Sequence, residues 1–362
     1  MSTIPMVVGL MCGREFSFPP AFLQAVNALG ASRGVTAEMV KLGGTKMGEP
    51  ARYRVIVDRI SHEVEYYRGY LKHAVLEGTY VINNPFWWTA DDKFFNYSVA
   101  SRLGLAIPKT VLLPQKDYPS DVDLTPESLK NLEYPVDWDG LLDYVGRPAI
   151  LKPYSGGGWK HVYKVHNVTE LLAAYDRTAP YCMTLQEFID FDQYVRCFTF
   201  GKHDIIPVHY DPRERRYIVD HSYLGGELGE RVVRDARTIN DALGYEMNTI
   251  EFAVKDGVPY AIDFLNPAPD FERDRITQHY FELVLDRMAK LVIDRAVSGA
   301  LTSPWPRWEQ MTGLGAAAGV LGQPAVAAAP SSEAAASARQ ASAAVSDKPA
   351  KPRAPRSRKA EA

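Results

Sequence analysis

The chain has 362 residues, 46% hydrophobic and 23% charged, a globular composition long enough for two or three structural units and not that of a wholly disordered chain. A formal charge of −3 argues against nucleic acid as a partner, and no apolar run approaches the ~20 residues of a membrane helix. The three cysteines, Cys12, Cys182 and Cys197, lack metal-ligand spacing and the N-terminus lacks a leader pattern, so a reduced cytoplasm without disulfide or zinc is expected.

Strand and helix signals alternate through residues 1–90. Met6 to Leu10 reads as a buried strand and Pro19 to Leu29 as a helix with Phe22, Val26 and Leu29 on one face. Val35 to Lys41 and Tyr53 to Asp58 read as strands, Val64 to Leu76 as a helix and Tyr80 to Ile82 as a strand. This order predicts an α/β domain built on a parallel sheet. The pattern changes at residue 91. Asp91 to Leu103 is helical, Lys109 to Leu113 is a strand, and Pro114 to Asp139 is a polar surface insertion. Strands follow at Ala149–Lys152 and His161–Val165, then a helix at Thr169–Tyr175 capped by Asn167 or Thr169. Tyr194–Phe200 and Asp204–His209 flank a turn, two further strands flank Lys255-Asp256-Gly257, and Phe271 to Val297 is one long closing helix. The second region, 91–298, is therefore α+β with mostly antiparallel strands. A linker at 299–323 leads to an Ala/Pro/Lys-rich tail, 324–362, expected to be disordered. The tail holds seven Lys/Arg against three Asp/Glu, a net +4, leaving −7 for the rest of the chain. Its basic end suits an acidic partner.

Three segments carry chemistry. Lys152 leaves a strand into Gly156-Gly157-Gly158, where glycines let successive N–H groups approach an anion and the lysine adds fixed charge. No Gly-Lys-Ser/Thr opens a helix there, which excludes a phosphate loop of that kind. In the hairpin from Asn248 to Asn266, a three-residue loop Lys255-Asp256-Gly257 puts Glu251 and Asp263 on one face, and a two-residue loop Asp256-Gly257 puts them on opposite faces. Glu251, Asp263 and Asn266 together are hard oxygen donors suited to Mg²⁺; Ile250, Phe252, Ile262 and Phe264 form the core-facing set. Met183 to Asp190 is an apolar strand becoming a polar connector, able to offer backbone groups to a purine.

The order of these segments resembles the ATP-grasp superfamily, closest to glutathione synthetases and ribosomal-protein glutamate ligases, over residues 1–298. That resemblance implies an α/β N-terminal domain followed by an α+β ATP-grasp domain of two subdomains, hinged near 186–190. It implies that Lys93 and Lys152 bind ATP phosphates and that Gly156, Gly157 and Gly158 form the loop over them. Gln186, Glu187 and Ile189 match the adenine hinge; Asp190, Asp192 or Gln193 faces the ribose. Arg196 and Lys152 would act at the transferred phosphate, and Glu251, Asp263 and Asn266 would hold Mg²⁺ or Mn²⁺. Asp263-Phe264-Leu265-Asn266 carries one residue more than the family's carboxylate-to-Asn spacing, which a bulge could absorb, with Asp270 as substitute ligand.

The implied activity is an ATP-dependent ligase joining a carboxylate to an amine or thiol through an acyl phosphate. The substrates would be small molecules and a homo-oligomer is allowed. The rivals are a small-molecule kinase and a nucleotide-holding regulatory protein. The cysteines are expected to be bystanders. Arg14, after the first strand, could clamp a carboxylate, and 83–88 and 209–211 are other candidate lining segments.

Overall fold

The computed structural model describes residues 6–86, 92–118, 123–156, 160–220, 223–303 and 311–313. All of these fall within one compact unit, Met1–Ala317. The basic tail and its acidic-partner expectation lie outside the described residues. The first part of the chain runs β1 (Val7–Met11), α1 (Phe18–Gly30), β2 (Thr36–Met39), β3 (Val55–Asp58), α2 (Glu65–Leu76) and β4 (Tyr80–Ile82). Its strands pair in the order β2-β1-β3-β4, all parallel. Side chains alternate faces along each strand. Val8, Leu10, Val55, Val57 and Ile82 therefore enter one core, and Met11, Ile56 and Val81 enter another beneath Leu71 and Ala74 of α2. Both faces are buried, as a parallel sheet requires. Gly9 has no room for a side chain, since a Cβ there would lie 2.6 Å from Val40.

The chain continues through α3 (Lys93–Arg102), β5 (Thr110–Leu113), α4 (Trp138–Val145), β6 (Ala149–Pro153), β7 (Tyr163–Val165), α5 (Val168–Tyr175) and β8 (Met183–Glu187). The strands form an antiparallel sheet, β5-β8-β6-β7, with α4 and α5 packed on one face around Leu142, Leu151, Leu171 and Leu185. Then come β9 (Gln193–Phe200), β10 (Asp204–Asp211), β11 (Arg216–Ile218), α6 (Gly226–Leu243), β12 (Met247–Lys255), β13 (Val258–Asp263) and α7 (Arg273–Ser298). These strands form a third sheet, β11-β10-β9-β12-β13, also antiparallel. One face of it packs on α3 and α6 through Val195, Cys197, Phe252, Val232 and Ile239. Phe198 and Phe200 on the other face join Phe271 and α7 over the first sheet. No described helix is long and apolar enough to cross a membrane.

The structure decides between alternatives the sequence leaves open and moves several boundaries. Asn167 is the cap of α5, accepting from the Glu170 N–H at 2.9 Å. The insertion at 114–139 ends inside α4, whose Asp137 cap accepts from Gly140 N–H. The closing helix begins at Arg273 and is broken at Thr277, where φ is 70°. The hairpin loop has two residues: Lys255 pairs Val258 across Asp256 (φ 51°) and Gly257 (φ 72°), the signs of a type I′ turn. By simple alternation that loop separates Glu251 from Asp263. They nonetheless pair directly, because the register shifts between Glu251 and Phe252 and Ile262 is left as the extra residue. A bulge flips the alternation beyond it.

Candidate active site

A cavity of about 280 Å³ lies between the second and third sheets, walled by Ile150, Val162, Phe188, Ile189, Ala253 and Ile262. Charge enters this apolar space at a few points. On α3, Asp92 caps the helix by accepting from Phe95 N–H at 3.1 Å, which fixes Lys93 in the first turn. Lys93 is 5% exposed and donates to the Gly156 carbonyl at 2.5 Å, tying the helix to the glycine loop. Gly157 and Gly158 lie outside the described residues. On β6, Ile150 and Lys152 face the cavity while Ala149 and Leu151 enter the core behind it. Lys152 donates to the Tyr97 hydroxyl at 2.8 Å and the Ile262 carbonyl at 3.2 Å. Burial lowers its pKa; Asp263 and Glu251 oppose that shift.

Gln186 and Glu187 line the cavity at the end of β8. The Gln186 amide donates to Thr110 Oγ1 at 2.8 Å, and the Glu187 carboxylate accepts from Lys109 N–H at 3.1 Å. Ile189 and Phe191 continue the wall. Asp190 is exposed and does not line the cavity, and Asp192 accepts from the Asp256 N–H at the hairpin turn.

Across the cavity stand Glu251 and Asp263. Arg196 on β9 faces Glu251 directly and donates to its Oε1 from Nε at 2.8 Å and from Nη2. Tyr194 donates to the other oxygen. Arg196 also donates to the Tyr217 hydroxyl at 2.8 Å and stacks 3.9 Å from the Tyr210 ring centre. Burial opposes its charge, but Glu251 and Tyr217 more than offset this and its pKa rises. Burial, then Glu251, pushes the Tyr194 pKa well up. Asp263 accepts no hydrogen bond among the described residues. Asn266 does not line the cavity; its N–H donates to Asn248 Oδ1 at 3.0 Å and its carbonyl accepts from Thr249. Asp270 is exposed and accepts from the Glu272 N–H ahead of α7. Ile262, expected in the core, lines the cavity because the bulge turns it there.

Arg14 is a surface arginine, 87% exposed, paired with Glu63 at 2.8 Å. Arg59, which sequence reasoning passed over, is the buried one: its side chain is 1% exposed, bound to Glu15 and stacked on Phe18 and Phe271. Asn83 is a clasp, donating to the Met247 carbonyl at 2.7 Å and accepting from the N–H groups of Glu246 and Met247. Trp87 and Trp88 lie outside the described residues. Burial, then Glu15, pushes the Cys12 thiol up to about 11, and burial raises Cys182 and Cys197, so none is a ready thiolate near neutrality. Tyr97 is the main residue missed. Its signal was its place four residues after Lys93 on one helix, the same face.

A parallel α/β sheet followed by two antiparallel sheets that enclose a lysine- and carboxylate-lined cavity is the ATP-grasp fold. Among solved structures, the chain matches the RimK-domain ATP-grasp protein of Sphaerobacter thermophilus with a TM-score of 0.56 and 17% identity, covering 80% of this chain and 99% of that one. It matches the D-alanine–D-alanine ligase of Bacillus anthracis complexed with ATP at 0.53 and 18% identity, covering 81% and 97%. It matches the macrocyclase MdnC of Microcystis aeruginosa, bound with precursor peptide MdnA, at 0.53 and 14% identity, covering 80% and 100%. No protein-family model and no curated protein matches the chain.

Proposed function

We propose that the protein is an ATP-dependent carboxylate–amine ligase working through an acyl phosphate. The carrying observation is the charge pattern of the cavity: Lys93 and Lys152 share one space with Asp263 and Glu251, among apolar walls. Such charges suit a polyanion bridged by a divalent cation. The B. anthracis ligase complexed with ATP supports a nucleotide in a fold of this kind. The base would lie against Phe188 and Ile189 and the phosphates toward the two lysines.

The donor set fits Mg²⁺ or Mn²⁺. Asp263 has open lone pairs, and Glu251 is a second hard oxygen donor, although Arg196 and Tyr194 already engage it. No group of three His, Cys, Asp or Glu converges on a metal among the described residues. Two carboxylates suffice for Mg²⁺, which takes its other ligands from phosphate and water. Bound there, the ion would neutralise charge on the triphosphate. A substrate carboxylate oxygen then attacks the γ-phosphorus as ADP leaves. The amine attacks the acyl carbon as phosphate leaves. The lysines stabilise the charge in transfer and the apolar walls keep water from the acyl phosphate.

The Arg196–Glu251 pair favours a second reading, a protein that holds nucleotide without turnover. ADP release from Mg·ATP, measured over panels of carboxylates with and without amines, separates the two. Ligation predicts sustained, multiple-turnover release only with both partners. Sustained release without an amine indicates a kinase. No release with intact ATP binding leaves the regulatory reading, and no ATP binding sinks both.

A further inference from the structure

Lys152 and Asp263 line one cavity, yet form no ion pair. The reason lies under the lysine. Tyr97 is 2% exposed, and its hydroxyl donates to the Ile262 carbonyl at 2.7 Å. Lys152 Nζ donates to both of these oxygens, and lies 5.1 Å from the centre of the Tyr97 ring. The three groups form a closed triangle. Ile262 is the residue that the bulge leaves without a partner on β12, so its carbonyl can turn to this use. An ammonium has three hydrogens; two are taken here and one remains for the cavity. The ring is itself fixed, edge-on to Phe264 at 5.2 Å.

We propose that Tyr97 is a positioning residue: with the bulged Ile262 carbonyl it holds the Lys152 ammonium away from Asp263 and Glu251, keeping lysine and carboxylates separately available to phosphate and metal. This rests on the nucleotide reading above. Without the hydroxyl, the ammonium loses one acceptor and Asp263 offers another. A Lys152–Asp263 pair would cancel one charge meant for phosphate against one meant for metal, and an opposite charge at closer range raises a lysine's pKa.

The test uses Tyr97→Phe, which keeps the ring against Phe264. The first measurement needs no nucleotide: the pH profile of trinitrophenylation at Lys152 in the full chain, read by peptide mass. The midpoint should move up by about half a pH unit or more; Asp263→Asn alone lowers it, since that carboxylate raises the lysine's pKa, and in the Asp263→Asn background Tyr97→Phe should add no rise. A midpoint that stays or falls in Tyr97→Phe, or that rises as much in the Asp263→Asn background as in wild type, overturns the proposal; a merely structural role for Tyr97 would not move it in this linked way. The second is calorimetry of ADP with metal chelated. Tyr97→Phe should weaken ADP about fivefold in the wild-type background and not at all beside Lys152→Met. Equal losses in both backgrounds, or none in either, also overturn it. Should the wild type not bind ADP, the proposed function fails, and the labelling profile alone still decides Tyr97.

Discussion

Lys152 and Glu251 are both charged residues at the cavity, but removing each has a different consequence. Lys152 lines the cavity, and without it the Tyr97 hydroxyl keeps its bond to the Ile262 carbonyl, so Lys152→Ala should leave the fold intact, with a melting temperature near that of wild type, while turnover falls about a hundredfold through lost charge stabilisation. Glu251 is locked to Arg196 and Tyr194, with side chains only 17% and 14% exposed for the arginine and glutamate. Glu251→Gln would leave a largely buried guanidinium short of its partner, at about 1–3 kcal/mol in denaturant titrations. Asp263→Asn is therefore the cleaner metal test. It should raise the Mg²⁺ needed for half-maximal nucleotide binding at unchanged stability; an unchanged Mg²⁺ requirement would remove Asp263 from the ligand set. The sequence pointed to these residues because lysine beside glycine and carboxylates on a hairpin are local patterns. It did not give the partners. That Glu251 meets Arg196 follows from β9 lying beside β12, a pairing between segments more than fifty residues apart.

Strands and helices with strong periodicity were legible, and the failures have physical causes. Tyr80–Ile82 stands where expected, and the helix expected over 91–103 forms from Lys93 to Arg102. No element was read between 210 and 247, yet α6 spans eighteen residues there. Its buried stripe, Gly229, Val232, Ala236, Ile239 and Leu243, keeps helical spacing but is diluted by arginines and acids, including Asp235, whose pKa burial raises. The bulge at Ile262 cannot be read from periodicity, because it appears only when two strands are set side by side. The loop length is a related case: the sequence allows two or three residues, and the two-residue Asp-Gly turn is the one that forms. Gly257→Ala tests the turn. At φ 72° a side chain strains the backbone, so the variant should lose about 1–2 kcal/mol of stability by chemical denaturation. Nucleotide affinity should hold, since the bulge rather than the turn sets Asp263 opposite Glu251.

At the scale of the whole molecule, the end of the described chain closes over its beginning. Phe271, Phe281, Val284 and Met288 share a core with Val8, Leu10, Phe18 and Phe22, so the first ninety residues do not bury their sheet alone. Glu272 fixes this closure. It is 7% exposed, and its carboxylate accepts from the N–H groups of Phe16, Ser17 and Phe18 and from the Ser17 hydroxyl, at 2.7–3.2 Å. These N–H groups open α1, which has no side-chain cap of its own, so a residue from the far end of the chain supplies the anion there. Burial alone would raise the Glu272 pKa, but the hydrogen bonds from Ser17, Phe18 and Phe16 outweigh it and the net direction is down. The sign of the pH dependence follows. A carboxylate whose folded pKa is depressed contributes stability above its unfolded value, about 4.3, and loses it as pH falls through the folded value. Glu272→Gln keeps the shape and one acceptor but removes the charge. In paired urea titrations it should cost about 1–3 kcal/mol at pH 7, and the gap to wild type should close below about pH 4 as the wild-type carboxyl protonates. A gap that persists unchanged to pH 3 would mean that packing rather than charge holds α7 on the first sheet.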